Sequence, residues 1–453
     1  MPRWLDFKLK RRAAGVCSAS TLILTLLLLA AAARADVTTF DQLNARAVEL
    51  AATPYAPLET QLPAQLTQLD YDSYRKIEII PHRGLWWDDP AQPFRIQFFH
   101  RGYIYPHRVD IHIIDHGRST LAPFDPDYFN YHGHRPDNLD QVHGFAGFRV
   151  LYPLNRPDKY DELISFLGAS YFRAVPPGGV YGASARGLAI DIGLFDRHEE
   201  FPRFRAFWLI HPAPGSKSFT VLALLDSPAV TGAYEFTITP PPGSKNAGNI
   251  TSGGGGGGTA SGGKTSGGAT SGVRVRATLH FRHGVTKLGL APLTSMFFYG
   301  PDDRGAGVPR DHRPRVHDSD QLIVQNAGVT IVHQLERVAQ PRTLRFPASS
   351  LVAFGLRQSD RNPEHYRDRE AHSELRPDVM VHVNRPWGPG HIELLELPAP
   401  HEGVDNIGAY FVPDQPVQAG DVIELDYSLS FSLPAPAPGS APGSSRTQEV
   451  DRD

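Results

Sequence analysis

Cysteine is nearly missing: one occurs in 453 residues, Cys17. It precedes an apolar run, whereas a lipid-anchored cysteine would follow one. A single cysteine excludes an internal disulfide and a thiolate-ligated zinc site. No glycine-rich phosphate loop follows a strand, and neither a G-x-S-x-G elbow nor an H-E-x-x-H helix occurs. Long hydrophobic runs are confined to "STLILTLLLLAAA" near the start, which is short for a membrane span. A basic excess is also lacking. Taking the six Lys/Arg and one Asp/Glu of residues 1–35 from totals of 45 and 48 leaves 39 and 47, a net charge of −8. Nucleic-acid binding calls for the opposite balance.

The apolar run follows the basic "MPRWLDFKLKRR" and precedes Ala33-Arg34-Ala35. This pattern predicts a signal peptide over 1–35 and no membrane-spanning segment afterwards. Cleavage after Ala35 removes Cys17. Lys10-Arg11-Arg12 hints at twin-arginine export but lacks the usual phenylalanine, so the export route stays open. The setting expected is a bacterial periplasm, and the ligand expected is uncharged.

Period-two alternation dominates the rest. Val273, Val275, Ala277, Leu279 and Phe281 alternate with polar residues, as do Ile423, Leu425, Tyr427, Leu429 and Phe431. With "FRIQFF", "VDIHII", "FRAFWLI", "FTVLALL" and "YEFTITP", these runs predict a mainly β chain, a large antiparallel sandwich with one wet face per sheet. Helices are few: a capping box at Thr39–Gln42 opens "QLNARAVELAA", and Asp158 is read as capping "KYDELISFL". Residues 36–433 form the expected domain, interrupted by a flexible Gly/Ser insertion at 243–271 and followed by a disordered tail at 434–453.

Candidate chemistry falls in three places. His132-Gly133-His134 has the spacing of a chelate but no second cluster, so a solvated loop is the expectation. Around residues 171–191, Tyr171, Phe172, Arg173, Tyr181, Arg186 and Asp191 bracket several glycines. Aromatic faces beside Arg and Asp suit a sugar ring; a sandwich core with glycine turns accounts for the same composition. "RVHDSDQL" sets His317, Asp318 and Asp320 within four positions, and a catalytic wall, a metal cup and a hydrogen-bonded turn all fit it.

Longer blocks carry a resemblance. "YRKIEIIPHRGLWWDD", "ELISFLGASYFRAV", "YGASARGLAIDIG", "KLGLAPLTSMFFYG", "RPRVHDSDQL" and "DNIGAYFVPDQP" are similar, in order and over about residues 38 to 432, to the periplasmic glucans biosynthesis protein G/D family. The resemblance implies a large galactose-mutarotase-like β-sandwich, followed in the family by a smaller immunoglobulin-like domain that this chain, ending its last block near Leu433, is expected to lack. It implies a β-1,2-linked glucan as partner and inverting endo-β-1,2-glucanase activity without metal or cofactor. Asp318 matches the general base and Asp405 the general acid, with Asp320 and His317 in support. Tyr171, Arg173, Tyr181, Arg186 and Asp191 become the expected substrate contacts. A homodimer is compatible with it. Two departures are Gln321, where the family has glycine, and the Gly/Ser insertion. The alternative from a different class is a non-catalytic glucan-binding scaffold.

Overall fold

The computed structural model describes residues 36–133, 135–242, 270–303 and 311–434. The expected signal peptide, residues 243–269 of the insertion, the tail from 435 and His134 lie outside the described residues.

Two large sheets dominate. One carries, in spatial order, Arg95–Phe99, Gly147–Arg156, Lys159–Leu167, Tyr171–Ala174, Ser184–Arg186, Leu288–Ser295, Ile407–Pro413, Gly390–Glu396 and Arg342–Pro347, with Leu188–Ile190 also paired to Leu288–Ser295. The other is eleven-stranded and includes Gln321–Asn326, Leu351–Arg357, Asp378–Val383, Val422–Ser432, Thr270–Phe281 and Val230–Thr239. Pairing within them is antiparallel except where Arg203–Ile210 runs parallel to Asp110–Asp115. The fold class is therefore the mainly β sandwich expected, with one parallel joint that the alternation did not signal.

Alternation explains how the first sheet sorts its residues. Phe98, Phe148, Phe166 and Phe172 fall on successive strands and are buried. Their rings stack, Phe148 on Phe166 at 5.0 Å and Phe166 on Phe172 at 5.6 Å. Phe207 and Phe236 of the second sheet meet them edge-on. Each such ring contributes roughly 2–3 kcal/mol of burial. One residue along, the opposite face carries Gln97, Arg149, Ser165 and Arg173 in register. A polar lane thus runs across the back of the aromatic ladder.

The capping box is present as read. Helix α1, Phe40–Ala51, has Thr39 as its N-cap and Gln42 closing the box. It lies on the outer face of the second sheet, where Thr231 donates to the Ala47 carbonyl at 2.8 Å and His280 bonds Asn44 at 2.8 Å. This cover explains why "FTVLALL" is buried on both faces.

The second helix is a correction. "KYDELISFL" is the strand Lys159–Leu167, and Asp158 bonds Arg156 in the turn before it. The apolar cluster Leu163, Ile164 and Phe166 fits either period; pairing with Gly147–Arg156 on one side and Tyr171–Ala174 on the other decides for strand. The insertion also ends earlier than read. Thr270 and Ser271 pair with Ser432 and Phe431, and Ser271 donates to the Val175 carbonyl at 3.0 Å.

Residues 239 and 272 face each other across an antiparallel ladder. Replacing 243–269 with Asn-Gly is expected to shift the calorimetric melting temperature by no more than a few degrees, because loop-closure entropy changes slowly with length. A larger fall assigns those residues a share in the fold.

Candidate active site

The motif "HDSD" divides its four side chains among different tasks. Val316–His317 pairs with Phe297–Tyr299. The His317 ring lies parallel to Phe297 at 5.3 Å and meets Tyr366 edge-on at 5.6 Å. Its Nδ1 bonds the Gln358 side-chain oxygen at 2.8 Å, while the Gln358 amide donates to the His317 and Ser373 carbonyls. Burial pushes His317 down to about 4, so it is neutral at pH 7. Ser319 is buried and bonds Ser295 at 2.9 Å. Asp320 accepts from the Ser359 amide at 2.8 Å and its hydroxyl at 2.6 Å, a turn-bracing role. Gln321, the departure from the family pattern, accepts from Arg357 at 2.7 Å.

Asp318 stands apart from this bracing. Its amide donates to the Met296 carbonyl at 2.8 Å. Its carboxyl is 14% exposed and lies 2.5 Å from Arg376, off the axis of a hydrogen bond. Burial, opposed by Arg376 and Arg173 and assisted by the Asp405 and Glu402 charges, raises it to about 6. Asp405 is exposed to solvent on one side, and the protein packed on its other sides raises it, with Arg173 opposing. Asp318 and Asp405, 87 positions apart in the chain, therefore share one electrostatic neighbourhood, with Arg173 acting on both. The Asp405 charge thus contributes to the rise at Asp318.

The segment at 171–191 reaches this neighbourhood only in part. Arg173 is exposed and stacks over the Tyr181 ring at 4.0 Å. Tyr171 lies in the field of Asp405 and is raised mainly by burial. Tyr181 is raised by burial and by Glu162 beside it. Its carbonyl accepts from Arg376 at 3.1 Å, so the arginine facing Asp318 also holds this segment. Gly182 makes that approach feasible: a Cβ there would meet Arg376 Cβ at 3.2 Å.

Arg186 and Asp191, also expected as sugar contacts, are both bonded to protein groups. Arg186 is 4% exposed, bonds Glu199 at 2.6 Å and lies over the Tyr171 and Phe201 rings. Asp191 has φ +57° and accepts from the Lys287 amide at 2.9 Å, with Arg197 at 3.8 Å. Both hold structure around the site.

Sequence reasoning missed Arg376, Arg313 and Asn406. Arg313 binds Asp311 at 2.6 Å, Asp368 at 3.1 Å and Glu402 at 2.8 Å, tying three loops that border the aspartates. Asn406 is buried at the head of the apolar strand Ile407–Pro413. Its signals were its place in "DNIGAYFVPDQP" and a polar side chain opening an apolar run.

Two outcomes follow from the burial of these charges. Between about pH 4 and 6 the folded chain keeps a proton on Asp318 that the unfolded chain has lost, so ionising Asp318 removes stability as pH rises. The gap between about 3.9 and about 6 corresponds to roughly 3 kcal/mol. His317 works in the opposite direction, so the comparison must be differential. The melting temperature of Asp318→Asn relative to wild type is expected to rise from pH 4 to pH 7 and then level off; a flat difference contradicts the burial argument. Arg186→Ala strands Glu199 and is expected to cost about 3–5 kcal/mol in urea unfolding, and Arg173→Ala, whose head group is exposed, is expected to cost less.

The family model described as "Periplasmic glucan biosynthesis protein, MdoG" matches residues 39–251 and 264–451. The chain is 40% identical over 413 residues to Glucans biosynthesis protein G of Ralstonia nicotianae, covering 90% of this chain and 75% of that one. It is 37% identical over 394 residues to the protein G of Sodalis glossinidius, covering 86% and 69%. Glucans biosynthesis protein D 1 of Ralstonia nicotianae is 40% identical over 412 residues, covering 86% and 70%. A GH36 alpha-galactosidase from Geobacillus stearothermophilus has a TM-score of 0.26 and 8% identity, covering 64% of this chain and 39% of that one, and carries no argument. With the family model spanning nearly all the described residues, the chain belongs to the periplasmic glucan biosynthesis (MdoG) family.

Proposed function

We propose that the chain is a periplasmic inverting endo-β-1,2-glucanase, with Asp318 as base and Asp405 as acid. The observation that carries the reading is the pair itself: a mostly buried Asp318 and a solvent-exposed Asp405, both raised by the protein packed around them, in the field of one arginine. Inverting hydrolysis needs one ionised and one protonated carboxyl flanking the scissile bond. The larger rise falls on Asp318. A carboxylate near 6 is ionised at neutral pH and accepts a proton more readily than an ordinary aspartate. The rise at Asp405 has the sign an acid requires but is the smaller of the two, so its assignment as the acid rests on the family resemblance and on a bound glucan displacing water from this exposed carboxyl.

The mechanism is a single displacement. Asp405 gives its proton to the glycosidic oxygen as the bond to the anomeric carbon breaks. Water attacks that carbon from the opposite face, and Asp318 takes the proton it releases, directly or through an intervening hydroxyl. Arg173, steadied on Tyr181, offers donors to sugar hydroxyls, and Arg149, held by the buried Gln97 on the same face, extends the surface along which a glucan lies.

Incubation with linear β-1,2-glucan is expected to generate new reducing ends, and NMR before mutarotation to show the inverted anomer. Asn at 318 or 405 is expected to lower turnover at least about a hundredfold while glucan still binds. The acid limb of kcat/KM is expected near the Asp318 value, about 6. A retained anomer excludes the single displacement. Glucan binding by wild type without new reducing ends favours the scaffold alternative.

A further inference from the structure

Asp318 and Asp405 are anchored to adjacent residues of one segment. The Asp318 amide donates to the Met296 carbonyl at 2.8 Å. Beside Asp405, the Asn406 side chain grips Phe297 from both sides of its peptide: Oδ1 accepts from the Phe297 amide at 2.8 Å, and Nδ2 donates to the Phe297 carbonyl at 2.9 Å. Nδ2 also donates to the Leu397 carbonyl at 2.9 Å, and the Leu397 amide returns a bond to the Asn406 carbonyl. Residues 397 and 406 thereby close the neck of the loop that carries Asp405.

The ladder gives this arrangement its meaning. Ile407–Pro413 pairs with Leu288–Ser295, and the last rung is Ser295 against Ile407. Two residues on from Ser295, the Asn406 side-chain amide replaces the main chain and offers Phe297 the same donor and acceptor a strand would. The pairing is kept while the backbone at Asp405 is released to turn. Asn406 is 2% exposed, so water cannot readily substitute for these bonds.

We propose that Asn406 is a positioning residue whose clamp on Phe297 and Leu397 sets the separation and orientation of the Asp405 and Asp318 carboxyls. Its importance for turnover rests on the hydrolase reading above; the geometry does not. Consecutive Cα atoms are held about 3.8 Å apart, so the attachments at 296 and 297 transmit a fixed spacing. Slippage at Asn406 moves Asp405 alone, because Asp318 has its own anchor.

The test uses Asn406→Ser and Asn406→Gln, which add no charge of their own. The Asp318 carboxyl is titrated by 13C NMR in wild type, both variants and Asp405→Asn, which removes the Asp405 charge outright. The other charges acting on Asp318 are Arg376, Arg173 and Glu402, and none is altered. The expected result is an Asp318 midpoint in the Asn406 variants displaced downward toward that of Asp405→Asn, with kcat on β-1,2-glucan at least tenfold lower and KM within twofold. An Asp318 midpoint equal to wild type in a folded variant overturns the proposal. If neither variant folds, hydrogen exchange of the Asn406 side-chain amide in wild type decides: protection supports the clamp, and solvent-like exchange overturns it. Wild type that cleaves no glucan sinks the hydrolase reading but leaves the titration arm intact.

Discussion

Two negative charges have to be held near one another at a place where water hardly reaches one of them. Asp318 is 14% exposed and feels Asp405 as well as its own desolvation. Left alone, such carboxyls would take up protons or move apart. Arg376 at Asp318, and Arg173 acting on both, reduce that penalty without removing it. The surrounding bonds resist the repulsion by fixing the backbone on each side. A fully neutralised pair would be more stable and chemically inert.

The bracing is distributed by residue type. Groups that make several directed bonds sit behind the carboxyls: the Gln358 amide under His317, the Ser359 turn on Asp320, the Asn406 amide on Phe297. Groups with a long reach and a fixed charge bridge between loops, as Arg313 does with Asp311, Asp368 and Glu402. Arg173 differs from both, since its head is exposed and its main contact is the Tyr181 face. An arginine held by stacking keeps its donors free for a ligand.

The sandwich makes this economical in parts. The same strands that place Phe148, Phe166 and Phe172 in the core present Arg149, Ser165 and Arg173 on the other face. Core packing therefore fixes the positions of the lane that leads to the aspartates. The segment 288–299 belongs to both systems: its apolar residues are core, and its last residues anchor the two carboxyl-bearing loops.

Much of this architecture is written locally. Alternation marks Thr270–Phe281 and Val422–Ser432 because side chains on a strand face opposite ways, and the box at Thr39 marks its helix because cap and partner are three residues apart. The motif resemblance singled out Asp318 and Asp405 together, as base and acid. Which neighbours they acquire is a matter of long-range folding. "KYDELISFL" became a strand because neighbours on both sides offered a ladder, overriding an ambiguous period. Arg173 and Arg186 look alike in the sequence, yet one is exposed over Tyr181 and the other is enclosed with Glu199. Arg376 carries no motif, and Asn406 lies in a motif whose spacing does not show its partner Phe297, because the groups they hold lie roughly 60 to 200 positions away. Local spacing determines which residues share a face; only the closed sandwich decides which faces meet, and the desolvation that raises Asp318 exists only once they do.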